Sequence, residues 1–202
     1  MNQFKEMCLD KAGKANVLQG NIAFALGCVR AGIHSVDGYP GTPSTEVIDK
    51  GLSQVKDLID ANWSVNEAVS AGVGHGHSLA GRDCVVTMKI PGLFQAADVV
   101  TSASQFTQQR GALIYYLASD FVPNSTQHVI DPRYLLKSCF VPVFEPRNHQ
   151  EMHEAAGVAV NIARQFNTSV FILANGTLCH SEGLISLMEK QSRGSVEIED
   201  LR

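Results

Sequence analysis

The chain has 202 residues, 45% of them hydrophobic and 18% charged, with a formal net charge of −4. That length and apolar content suit one globular domain with a sizeable core, and the mild acidity argues against a nucleic-acid surface. No apolar run approaches the ~18 residues of a membrane span, and the low charged fraction points to surface that a partner covers.

Taken in chain order, Asn2 to Gly20 is mixed and polar, without the apolar core of a secretory leader. Gly20 to Ala31 carries helical periodicity, with Ile22, Ala23, Leu26 and Val29 inward, Arg30 on the exposed side and Gly32 closing the helix. Ser35 to Tyr39 reads as a short strand. Thr42 is placed to cap the next helix, with Pro43 at its first position, and that helix is expected to run to about Leu58. Ala61 to Val65 is a second short strand. The following helix, Asn66 to Ala80, is rich in small residues (Ala68, Ser70, Ala71, Gly72, Gly74, Gly76, Ser78); its glycines weaken the helix by about 1 kcal/mol each, and so many small residues imply close approach by another backbone or a ligand.

Asp83 to Met88 is a buried strand, Leu93 to Phe106 a helix opened by Pro91-Gly92, and Ala112 to Ala118 a continuous apolar strand. A polar loop from Ser119 to Ile130 precedes a short helix from Asp131-Pro132 to about Lys137. Val141 to Phe144 reads as a strand, Asn148 to Gln165 as an amphipathic helix and Ser169 to Ala174 as the last buried strand. Short apolar strands alternating with helices specify an α/β fold: a doubly wound, mostly parallel sheet with helices on both faces. Residues 1–188 read as one domain and 189–202 as a charged, frayed tail. The five cysteines, Cys8, Cys28, Cys84, Cys139 and Cys179, are scattered without any Cys-x-x-Cys pair, so they offer no iron–sulfur or zinc framework. Reduced thiols, with Cys28 and Cys84 in the core, and a cytoplasmic address are expected.

Two stretches carry the chemistry. Gly38-Tyr-Pro-Gly-Thr-Pro-Ser-Thr45 is a strand end breaking into a helix start, and Trp63-Ser-Val-Asn-Glu67 sets a carboxylate at the next strand–helix junction. In a parallel sheet both junctions lie on the edge where ligands bind. On spacing alone Glu67 reads as the last member of a capping box with Ser64 as N-cap, and a first-turn glutamate also suits the helix dipole. The second reading is a single carboxylate among small and apolar residues, facing a cleft. Such a group hydrogen-bonds N1′ of the aminopyrimidine of thiamine diphosphate and shifts the ring toward its imino tautomer. The protein then supplies positioning and one acid–base group, and the cofactor supplies the electron sink.

Gly38-Tyr-Pro-Gly-Thr-Pro-Ser-Thr-Glu46, Trp63-Ser-Val-Asn-Glu67, Ser78-Leu-Ala-Gly81, Val86-Thr-Met-Lys89 and Gly92-Leu93 together resemble the pyrimidine-binding domain of thiamine diphosphate-dependent 2-oxoacid:ferredoxin oxidoreductases, of the indolepyruvate oxidoreductase α-subunit type. The resemblance runs in order from about Val17 to Leu184. It implies the thiamine diphosphate-binding fold, with Glu67 as the cofactor-activating glutamate and Thr42 as the threonine that faces the substrate carboxylate and the reacting carbon. Pro40, Gly41, Lys89, Gly92 and Leu93 would line the cleft near the cofactor. For Thr42 a plain N-cap and for Lys89 a solvated strand-end lysine are the competing readings. Asn62 stands where this family usually has an acidic residue. The loop Ser119 to Gln127 departs from the family's more acidic version, leaving Asn124, Ser125 and Gln127 as substrate-side or subunit contacts. Phe94, Phe121 and Tyr134 are candidates for an aryl pocket or for ordinary packing, and His75 and His77 for exposed or interface positions.

A Gly-Asp-Gly followed by a downstream asparagine is missing, and so is a ferredoxin-like cysteine set. The resemblance therefore implies a site completed by a diphosphate-binding subunit, with Mg2+ and iron–sulfur clusters on partner subunits that include gamma-type and ferredoxin-like ones. Oxidative decarboxylation of a 2-oxo acid to an acyl-CoA is the expected activity. A split non-oxidative decarboxylase, or a non-catalytic subunit in which Glu67 is only a cap, are the alternatives. An excised domain of a longer protein reads identically.

Overall fold

A computed structural model describes residues 3–105, 110–119 and 130–192. Its strands are β1 (Ala15–Gln19), β2 (Ser35–Gly38), β3 (Asp60–Trp63), β4 (Cys84–Lys89), β5 (Leu113–Ser119), β6 (Val143–Phe144), β7 (Val170–Asn175) and β8 (Glu182–Ser186). Its α-helices are α1 (Gln3–Leu9), α2 (Gly20–Arg30), α3 (Glu67–Leu79), α4 (Ile90–Gln95), α5 (Ala97–Ser104), α6 (Arg133–Ser138), α7 (His149–Phe166) and α8 (Gly176–His180). Six strands form a parallel sheet in the order β3-β2-β4-β5-β7-β6, while β1 and β8 pair antiparallel as a separate ribbon.

The central strands are continuous apolar runs because both of their faces are covered. Every residue of β5 is buried. Its successive tyrosines point to opposite faces: Tyr116 stacks on Phe24 of α2 with ring centroids 4.1 Å apart, and Tyr115 on Phe171 of β7 at 5.1 Å. The core is split accordingly. Residues of α1, α2 and α7 pack on one face, and residues of α3, α4, α5 and α6 on the other. At the amino-terminal side of the sheet, buried Asp83 accepts two hydrogen bonds from Arg164 Nη2, at 2.7 and 2.8 Å, and one from the Ala112 amide at 2.8 Å. All five cysteines are buried and none is in a disulfide. Burial pushes the Cys8 and Cys84 thiols up to about 12, so both are inert at neutral pH. Among the described residues no helix is long and apolar enough to cross a membrane.

Three local expectations are corrected. Thr42 to Thr45 is a turn rather than a cap and first helical residues, and the stretch beyond it is π-helical from Val47 to Gly51 and 3₁₀ from Leu52 to Val55. Gly51 lies so close to α2 that a Cβ there would sit 2.6 Å from that of Ala25, and the widened turn accommodates this contact. The helix expected from Leu93 to Phe106 is two helices, broken at Ala96 (φ −90°, ψ 5°), and Phe106 itself lies outside the described residues. Arg30 is 1% exposed rather than on the solvent side. Its guanidinium donates to the carbonyls of Met188 at 2.7 Å, Asp10 at 3.0 Å and Met7 at 3.2 Å, stitching α1 and the segment after β8 to the end of α2. Finally, α1 and the β1–β8 ribbon had no sequence signal of their own. The ribbon joins segments from the two ends of the described chain, and only Ile185 of its ten residues is fully buried.

Candidate functional site

The order of the sheet locates the site. From β2 the chain steps outward to β3, then crosses back to β4 on the other side of β2. That reversal is a switch point, and the crevice at the carboxyl ends of β2 and β4 is where such sheets take ligands. The turn after Gly38 and the junction after Lys89 form its walls. They touch: a Cβ on Gly41 would stand 3.2 Å from Lys89 Cβ, a tight contact that glycine avoids where the turn meets β4.

Glu67 enters from β3. It is the first residue of α3, and the cap is Asn66, whose Oδ1 accepts the Val69 amide at 2.8 Å. The capping box expected of Ser64 and Glu67 does not form. Ser64 instead donates its hydroxyl to buried Asp37 at 2.6 Å and its amide to the Gly38 carbonyl at 2.8 Å, fixing the approach to α3. With the cap supplied by Asn66, the Glu67 carboxylate is released from that duty. Oε2 is buried and has no hydrogen-bond partner among the described residues. Its side chain lies on Gly92 of α4, where a Cβ would contact Glu67 Cγ and come within 2.6 Å of Oε1 and 2.8 Å of Cδ. A carboxylate at the amino end of a helix is favoured by the dipole, yet a buried oxygen left unpaired is costly. Together these describe a carboxylate held against α4 with one acceptor oxygen unused.

The remaining expected residues fall into place as follows. Thr42 and Pro40 are exposed on the turn, Gly41 and Lys89 half-buried at the crevice, and Gly92 buried beneath Glu67. Leu93 is fully buried in the core of that face. Asn124, Ser125, Gln127 and Phe121 lie outside the described residues. Phe94 and Tyr134 are exposed, Tyr134 at 85%, and neither has a ring partner in a pocket among the described residues. His75 and His77 are half-buried in α3, and burial lowers the pKa of both. Among the described residues no cluster of metal-ligating side chains occurs.

Sequence reasoning missed two supports of the crevice, Asp37 and Asn21. Asn21 is fully buried in the first turn of α2; its Nδ2 donates to the Pro43 carbonyl and to Glu46 Oε2, each at 2.7 Å, and its Oδ1 accepts from the Tyr116 hydroxyl at 2.7 Å. The available signal was an amide within an otherwise apolar helix face.

No protein-family model matches the chain. It is similar to the indolepyruvate oxidoreductase subunit IorA of Archaeoglobus fulgidus, 33% identical over 184 residues that make up 88% of this chain and 29% of IorA. It is also similar to the 2-oxoglutarate synthase subunit KorA of Methanocaldococcus jannaschii, 23% identical over 83% of this chain and 47% of KorA. Among solved structures, a chain of the 2-oxoglutarate:ferredoxin oxidoreductase from Magnetococcus marinus superposes with a TM-score of 0.73 at 20% identity, over 87% of this chain and 32% of that one. The chain thus spans less than half the length of these relatives. Over most of its own length it is similar to the 2-oxoacid oxidoreductase subunits IorA and KorA, and it shares the α/β fold of the solved oxidoreductase chain.

Proposed function

We propose that this chain provides the pyrimidine-binding half of a thiamine diphosphate site in a 2-oxoacid:acceptor oxidoreductase, with residues 1–188 as that domain and 189–202 as its tail. The observation that carries the reading is Glu67 at the switch point, its Oε2 buried without a hydrogen-bond partner among the described residues and its Oε1 side lying on Gly92. This donor set fits an aminopyrimidine: one carboxylate to accept from a ring nitrogen, and a Gly41 wall without a side chain. When bound, the cofactor supplies the electron sink for decarboxylating a 2-oxo acid. Glu67 holds the ring and shares a proton with it. Thr42, exposed on the turn opposite, orients the substrate carboxylate, and Lys89 and Pro40 complete the wall. Asp37 and Ser64 keep the segment that delivers Glu67 in register with β2.

Within this reading a diphosphate-binding subunit supplies Mg2+ and closes the crevice, while gamma-type and ferredoxin-like subunits carry the iron–sulfur clusters and receive the electrons, in the cytoplasm. The outer face of α3 supports such docking. Val69, Gly72, Val73, Gly76 and Leu79 are exposed along it, with Val65 at 77% and Phe94 at 45% nearby, an apolar grouping of the kind that marks a contact surface.

The test is calorimetric titration of thiamine diphosphate with Mg2+, on the chain alone and on the complex purified with a diphosphate-binding subunit, followed by 2-oxo acid turnover. Binding only in the complex, and turnover lost by about 10²–10⁴-fold in Glu67→Gln with assembly intact, is the expected result. Full turnover in that variant would refute the role of Glu67.

A further inference from the structure

We infer that Asn21 is a positioning residue that sets the turn carrying Thr42, with the Tyr116 hydroxyl orienting its amide. The inference rests on the reading of Thr42 as a substrate-side contact. Pro43 O only accepts, so the amide must turn Nδ2 toward it; Oδ1 is then left facing Tyr116, whose hydroxyl donates to it at 2.7 Å. The same Nδ2 reaches Glu46, which Lys50 holds at 3.2 Å and His180 approaches at 3.2 Å. The turn's other hydrogen bonds are local: Gly41 N to Thr45 Oγ1 at 2.9 Å, and Ser44 N and Oγ to Gly41 O, both at 2.8 Å. They give the turn its shape. Asn21 ties it to α2 and, through Tyr116, to β5, at the residue next to Thr42.

A core position at the start of α2 has no need of an amide. Burying two polar side chains, Asn21 and Tyr116, is costly unless every group is paired. The placement explains the expense. Tyr116 lies beside Thr87 on β4, and Thr87 beside Gly38 on β2, so the Tyr116–Asn21 pair sits directly under the strand end from which the turn springs. Phe24, stacked on the Tyr116 ring, keeps the hydroxyl in place.

Two variants test this. Asn21→Asp keeps the shape and the acceptor for Tyr116 but removes both donors and sets a carboxylate against Glu46. Tyr116→Phe keeps the core and removes only the orienting hydroxyl. Hydrogen exchange on the full chain should show the amides of residues 41–47 exchanging about tenfold faster in Asn21→Asp and a few-fold faster in Tyr116→Phe, with β4 and β5 unchanged. In the complex with a diphosphate-binding subunit, kcat with pyruvate, 2-oxoglutarate or phenylpyruvate should fall by about tenfold or more in Asn21→Asp, while the Kd for thiamine diphosphate stays at the wild-type value. Unaltered exchange at 41–47 in both variants overturns the inference, as does a loss of cofactor affinity parallel to kcat. If Asn21→Asp does not fold, Tyr116→Phe decides by the same two measurements. A wild-type complex that turns over none of the three acids would count against the proposed function, and the exchange data would still decide whether Asn21 sets the turn.

Discussion

Replacing Gly92 by alanine separates the stability of the fold from the placement of Glu67. The added methyl would contact Glu67 Cγ and lie 2.6 Å from Oε1 and 2.8 Å from Cδ, whereas ordinary contact begins near 3.4 Å. The neighbour is a side chain, so it yields: the carboxylate must move by about an ångström. Overpacking of this kind costs about 1–3 kcal/mol, and alanine in place of a helical glycine returns up to about 1 kcal/mol. The net change in stability should therefore be a loss of about 0–3 kcal/mol, measurable by urea denaturation. A displacement of an ångström at a reacting centre costs about a hundredfold in rate, which is about 2.7 kcal/mol of barrier. Function should thus be lost out of proportion to stability. The decisive assay is a double-mutant cycle with Glu67→Ala. Once the glutamate is truncated the methyl has room, and Gly92→Ala should then be neutral or stabilising by up to about 1 kcal/mol. The coupling energy should be about 1–3 kcal/mol. A coupling near zero would mean that Glu67 does not occupy the Gly92 surface, and the argument for a held carboxylate would fall with it.

Other perturbations have equally definite outcomes. Asn66→Ala removes the cap of α3 and should cost about 1 kcal/mol in thermal or urea unfolding. Arg164→Met leaves Asp83 buried without its guanidinium and should cost about 3 kcal/mol, while leaving cofactor binding in the complex unchanged because the pair lies at the far side of the sheet. Gly72→Ala and Gly76→Ala face open space, so each should stabilise the isolated chain by about 0.5–1 kcal/mol yet weaken assembly if α3 docks a partner; Gly74→Ala, which meets Val86 and Leu113, should destabilise the fold. Buried His153 accepts the Met188 amide on Nε2 and donates from Nδ1 to Ala23 O, and burial holds its pKa below the usual 6.5. Its contribution is complete above pH 6.5 and is lost as the pH falls toward the lowered folded-state value. Unfolding free energy should therefore decline from pH 7 to pH 5, and more shallowly in His153→Gln.

What the sequence disclosed, and what it hid, follows from the range of the interactions involved. The buried strands were legible because each is a run of apolar residues needing no knowledge of its neighbours; Cys84–Lys89, Leu113–Ser119 and Val170–Asn175 all differ by only a residue or so from their expected limits. The segment after Thr42 misled because its threonine and proline satisfy every local rule for a helix start, while the deciding contacts, Asn21 on Pro43 and Gly51 against Ala25, come from α2. Arg30 was read outward by periodicity alone, yet the carbonyls that receive it belong to α1 and to the segment after β8. The β1–β8 ribbon had no local signature at all, since each strand is defined by the other.

The same distinction governs the site. Ser64 and Glu67 have capping-box spacing, and a purely local reading assigns the carboxylate to the helix. Two long-range facts reverse that assignment. Asp37, across on β2, takes the Ser64 hydroxyl and so leaves Asn66 to cap α3. Gly92, after β4, provides a surface without a side chain on which the carboxylate lies, with one oxygen buried and unpaired. Its contact with a residue from another crossover, at the reversal between β2 and β4, sets the carboxylate against α4 as well as on the helix that bears it.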